Sequence, residues 1–140
     1  MTIDLAVGIT LRRDFKLPEE DVDCLDALRR KGETLATEGT KWLFISGYSI
    51  PAGYDHETAD LALRIPPSYP DDQIDMVYFS PPLALKSGKA IRQLSPVTID
   101  GKSYQQWSRH RRAANPWRPG LDNVGTHLLQ VDDWLRRELS

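Results

Sequence analysis

At 140 residues the chain suits one domain, and 40% hydrophobic with 27% charged residues is ordinary globular usage, which excludes a disordered or fibrous chain. The formal net charge of -2 supplies no overall basic field, so nucleic acid is not an expected partner. A single cysteine, Cys24, excludes an internal disulfide framework and a multi-cysteine zinc site. The N-terminus does not read as a signal peptide and no apolar run approaches the roughly 20 residues that span a bilayer, so a cytoplasmic protein without a membrane segment is expected.

Residues 1–16 show no clear period and stay open between an arm and a short added strand; a single domain is expected over 17–140. Leu17-Pro18-Glu19-Glu20-Asp21 starts a helix, with proline in the first turn and acids where the macrodipole favours them. Val22, Leu25 and Leu28 recur along one side, Arg29, Arg30 and Lys31 close the C-terminal end, and Gly32 is expected to stop the helix. Strands follow at Thr34–Thr37, Lys41–Ile45, Ala59–Ile65 and Met76–Phe79, rich in β-branched and aromatic residues. In the third of them Leu61, Leu63 and Ile65 face one way while Asp60, Ala62 and Arg64 face the other. The turn from Ile50 to Tyr54 and the Pro81-Pro82 segment read as structural.

Ser80 to Pro119 reads as a long irregular stretch, punctuated by prolines and containing one small hairpin, Val97–Ile99 and Lys102–Tyr104 around Asp100-Gly101. Loops of this length are usually functional. A final helix is expected from Asp122, as N-cap, to Leu139, with Val124, Leu128, Val131 and Leu135 as its core stripe. Helix, four-stranded antiparallel meander, long loop and helix together give an α+β fold with helices packed on one sheet.

Three local sequences carry a resemblance. Ile65-Pro66-Pro67-Ser68-Tyr69-Pro70 before Met76–Phe79 resembles the Pro/Tyr-Pro turn of ubiquitin-conjugating enzymes. Trp117-Arg118-Pro119 resembles their Trp-x-Pro ahead of a helix, and Ser95-Pro96-Val97 with Asp100-Gly101 stands where they carry His-Pro-Asn and an Asn-Gly turn. With Leu17–Asp21 and Trp107-Ser108-Arg109-His110 added, the chain is similar over residues 17–139 to prokaryotic family E of the ubiquitin-conjugating superfamily.

That resemblance implies a bacterial ubiquitin-like modification system, with an activating enzyme and a ubiquitin-like modifier, tandem-domain forms included, as partners. It also implies a nucleophilic cysteine, which is missing. Counted from Gly101 the position falls on Tyr104; counted back from Trp117 it falls near Arg109 and His110. Ser95 and Val97 replace the tripeptide's His and Asn. Neither a phenol nor a guanidinium substitutes for a thiolate in thioester transfer. The expectation is therefore a conjugating-enzyme-like scaffold that binds modifier or activating enzyme, with Ser95, Pro96, Tyr104, Arg109 and His110 as the degenerate site.

Two alternatives stay open: a transferase that uses Cys24 or His110, and a plain protein-interaction module of the same shape. Cys24 reads as structural or incidental, because Asp21, Asp23 and Asp26 beside it disfavour a thiolate. His110 reads either as a loop pin or as an acid–base group. His56, His110 and His127 lack metal-site spacing, so no metal and no cofactor are expected, and His127 is placed at the core boundary. The four tryptophans read first as anchors. The partner-facing set is Trp107, Arg109, His110, Arg111, Arg112, Trp117 and Arg118, whose guanidinium groups suit the carboxylates of a protein tail.

Overall fold

A six-stranded antiparallel sheet carries two helices on one face. The computed structural model describes residues 2–4, 9–37 and 39–140. Its elements are β1 (Thr2–Asp4), β2 (Ile9–Leu11), α1 (Glu19–Ala27), β3 (Gly32–Thr37), β4 (Thr40–Ser49), β5 (Thr58–Ile65), β6 (Val77–Ser80), β7 (Leu94–Ile99), β8 (Lys102–Trp107) and α2 (Val124–Arg137). β1 pairs with β2, and the large sheet runs β3-β4-β5-β6-β8-β7. Residues 12–14 lie beside β3, with the Thr34 amide donating to the Arg12 carbonyl and the Asp14 amide donating to that of Thr34.

The expected alternation is observed. Leu43, Ile45, Leu61, Leu63, Ile65, Val77 and Phe79 are buried on the helix side, where α2 contributes Val124, Leu128, Val131 and Leu135. On the opposite face Ala62, Tyr78, Ile99 and Tyr104 form a second, smaller cluster with Trp42, Phe44, Met76 and Val97 packed against it. Sheet curvature lets this face bury itself: the Phe44 and Tyr104 rings, from β4 and β8, lie 6.1 Å apart.

Three expectations are corrected. α1 ends at Ala27, well before Gly32. Arg29 takes the left-handed conformation (φ 55), the Arg30 amide donates to the Leu25 carbonyl and the Arg29 amide to that of Asp26, so a Schellman closure forms without glycine. Gly32 instead opens β3, and a Cβ there would sit 3.0 Å from Leu43 Cδ1 and 3.1 Å from Leu25 Cδ1, so it is the close packing of helix on sheet that requires glycine.

The second correction concerns the sheet, which has six strands where four were expected. The Asp100-Gly101 hairpin extends to Leu94 and Trp107, and β8 joins β6 through Val77↔Trp107, Tyr78↔Gln106 and Phe79↔Gln105. Asp100 (φ 51) and Gly101 (φ 75) give the two left-handed residues of the tight turn. Pro96 hides the strand in the sequence, yet β7 is the outermost strand of the sheet, where a missing donor is tolerated.

Thirdly, the N-cap of α2 is Asn123, whose side chain accepts from the Thr126 amide while the Asn123 amide donates to Thr126 Oγ1. Asp122 has another task, described below.

Candidate functional site

Three of the motifs that carried the resemblance meet at one point. Asp21 of α1 is fully buried; its Oδ1 accepts from the Val124 amide at 3.1 Å and its Oδ2 accepts from the Tyr69 hydroxyl at 2.6 Å. Tyr69 Oη also accepts from the Val124 amide, at 3.0 Å. Trp117 closes the group from the other side, donating Nε1–H to the Pro70 carbonyl at 2.9 Å, its ring 6.3 Å from that of Tyr69. Burial pushes Asp21 above the ordinary carboxylate range despite these bonds, and burial with the neighbouring carboxylate pushes Tyr69 far up as well. Helix start, Pro/Tyr-Pro turn and the Trp-x-Pro segment thus form an architectural hub that satisfies the buried Val124 amide at the N-terminus of α2. Its chemistry is structural.

The place of the missing thiol is different. Tyr104 sits on β8 with its ring turned to Ala62, Tyr78 and Ile99, only 4% exposed. Burial pushes its phenol up to about 12, and Asp60, Asp100 and Glu33 add to the effect. It is therefore neither nucleophile nor accessible acid at neutral pH. Ser95 pairs with Gln106 and Pro96 with Gln105, so their side chains point to opposite faces of the hairpin. A groove of about 230 Å³ runs along this edge, lined by Pro82, Leu94, Ser95, Pro96 and Ser103.

Trp107 leaves the partner-facing set. It is fully buried, edge-on to Phe79, and donates Nε1–H to Gln105 Oε1 at 2.9 Å. Gln105 in turn accepts from the Leu83 amide and donates to the Leu83 carbonyl, which fixes the chain after β6.

The arginines of the loop from Ser108 to Asn123 do not form one patch. Arg109 lies over the Trp107 ring and pairs with Glu138 at 3.2 Å. Arg111 is corrected most: its side chain is 4% exposed, stacked over Trp117 and 3.6 Å from Asp122 Oδ1. Arg118 donates its amide to Asp122 Oδ2 at 2.7 Å and its guanidinium Nε to the same oxygen at 3.5 Å, the rest of the side chain being exposed. Arg112 is exposed. Burial pushes Asp122 upward, but the Arg118 amide, Thr126 and the Arg111 charge outweigh it and hold the carboxyl low. Asp122 is thus the counter-ion that draws the loop onto α2.

Beneath this loop lies His127, placed at the core boundary by its sequence position but fully buried. Its Nε2–H donates to the Met76 carbonyl at 2.8 Å, and among the described residues its Nδ1 has no partner. Burial, reinforced by Arg111, lowers its pKa to about 4, so it is neutral at pH 7. Arg111 Nε and Nη2 also lack hydrogen-bond partners.

At the surface above, His110 Nδ1 lies 2.7 Å from Asp75 Oδ2, the imidazole 60% exposed. Nothing in the sequence pairs these residues, which are 35 positions apart. Cys24 is far less available: a Cβ on Gly125 of α2 would lie 2.6 Å from its Sγ, and burial followed by Asp21 pushes its thiol up. Among the described residues no group of three or more His, Cys, Asp or Glu is arranged to hold a metal, and no helix is long and apolar enough to cross a membrane.

An antiparallel sheet flanked by an N-terminal and a C-terminal helix, with a Tyr-Pro turn and a Trp-x-Pro segment locked together, defines the ubiquitin-conjugating type of α+β fold. Within it, the chain belongs to prokaryotic E2 family E, whose sequence pattern matches residues 17–138. No curated protein and no solved structure matches it.

Proposed function

We propose that this protein acts in a bacterial ubiquitin-like modification system as a conjugating-enzyme-like scaffold, binding the modifier or its activating enzyme without forming a thioester itself. One observation carries the reading: neither place where the nucleophile is expected holds a thiol, and at the one counted from Gly101 stands Tyr104, buried in the second cluster with its phenol pushed up to about 12. The family architecture is meanwhile intact. Of the partner-facing residues, Arg112, Arg118 and His110 are exposed, so a carboxylate-bearing tail is the chemistry they suit.

The thiol route is the weaker alternative, because Cys24 is wedged against Gly125 and its thiol is raised. Size-exclusion co-elution and calorimetric titration with the cognate modifier and with the activating enzyme test the proposal. Binding that weakens about tenfold in the Arg112→Glu/Arg118→Glu double variant supports it. No binding to either protein leaves a plain interaction module unrelated to modification.

A further inference from the structure

The junction between the start of β6 and the end of β8 is held from several sides. Met76 holds φ 61, a left-handed conformation that a long side chain adopts only when its surroundings impose it. Here they do so from both sides. The Met76 amide donates to the Arg109 carbonyl at 3.1 Å, and the Met76 carbonyl accepts from His127 Nε2 at 2.8 Å. This strained residue continues the β6–β8 pairing past Val77↔Trp107 and sets Asp75 beside His110. Loop and strand are therefore fixed on both sides of the imidazole–carboxylate pair before any partner arrives.

A carboxylate on Nδ1 holds the imidazole in the tautomer with its proton on Nδ1, which leaves the Nε2 lone pair free to accept a proton. His110 also stands beside Arg109 at one of the two places where the missing thiol is expected, and its ring is the exposed member of the pair. A loop pin alone requires neither the strain at Met76 nor an imidazole left 60% exposed.

From this geometry we infer that His110, oriented by Asp75, is a general base for aminolysis of a thioester carried on a partner's cysteine. This rests on the scaffold reading above. His110 Nε2 takes a proton from the attacking amine as the carbon–nitrogen bond forms. The carbon–sulfur bond then breaks, the thiolate leaves on the partner, and the imidazolium returns the proton to it. Amide and thiol are the products, with no redox change. Asp75 acts as a positioning residue.

The test uses the full chain, the activating enzyme charged with its modifier as a thioester, and free lysine as the amine. Discharge is followed at saturating scaffold. The expected result is that His110→Ala slows discharge at saturating scaffold about 100-fold, and that added imidazole restores much of the loss. Asp75→Asn should give a smaller loss that imidazole does not rescue. Both variants are first matched to the parent in unfolding midpoint, and His110→Gln replaces the alanine if that variant fails to fold. Equal discharge by parent and His110 variants overturns the inference. Co-elution without any acceleration by the parent overturns the base while leaving the scaffold; neither binding nor acceleration overturns both.

Discussion

Two buried polar clusters meet along the segment leading into α2, where Arg111 of one stacks on Trp117 of the other, and they are built in opposite ways. Around Asp21, Tyr69 and Trp117 each polar side-chain group has a partner within 3.1 Å. Around Arg111 and His127, three buried nitrogens have none, and the ion pair to Asp122 spans 3.6 Å. Satisfied networks specify one arrangement, whereas half-satisfied ones cost stability and leave room to rearrange. The first cluster fixes the fold. The second holds Arg111 against α2 at the cost of buried groups left unsatisfied.

That contrast can be broken most forcefully through pH. His127 has a pKa of about 4 when folded against 6.5 when free, so the unfolded chain takes up the proton first as pH falls. Its contribution is complete above pH 6.5, declines below it, and is lost by pH 4, a difference of about 3 kcal/mol. His127→Gln keeps a donor for the Met76 carbonyl and cannot titrate. Urea unfolding of both proteins at pH 7, 5.5 and 4 should show parent stability falling relative to the variant; parallel curves would remove the buried neutral histidine from the account.

The next effect belongs to the hub. Tyr69→Phe leaves Asp21 Oδ2 buried without a donor and should cost about 2 kcal/mol, read as a lower urea midpoint at unchanged slope. Smallest is Arg111→Met. Asp122 keeps the Arg118 amide and Thr126, and two unpartnered nitrogens disappear, so stability should change by no more than about 1 kcal/mol in either direction. If Arg111→Met proved as costly as Tyr69→Phe, the two clusters would not differ as described.

Much of the architecture could be read from the residues because burial enforces period. Leu61, Leu63 and Ile65 alternate because one face of β5 meets the helices, and Val124, Leu128, Val131 and Leu135 recur because one side of α2 does. Pro96 concealed β7, since proline argues against a strand everywhere except an edge. Gly32 was read as a helix stop because the need for a small residue under α1 is a tertiary fact. At the site, the sequence supplied the arginines but not their fates. Arg111 and Arg112 are adjacent and chemically alike, yet only Arg111 meets Trp117 and Asp122. Asp75 carried no signal at all, because its role depends on the backbone turn at Met76 and a partner 35 residues away.

The central claim is that this fold works without a thioester of its own. Mixing the protein with activating enzyme, modifier and ATP-magnesium, then resolving products with and without reductant for parent and Cys24→Ser, tests it most directly. The account predicts no reductant-sensitive adduct on either protein, with complex formation retained by both. A reductant-sensitive adduct on the parent that vanishes in Cys24→Ser would contradict it and make Cys24 the conjugating nucleophile.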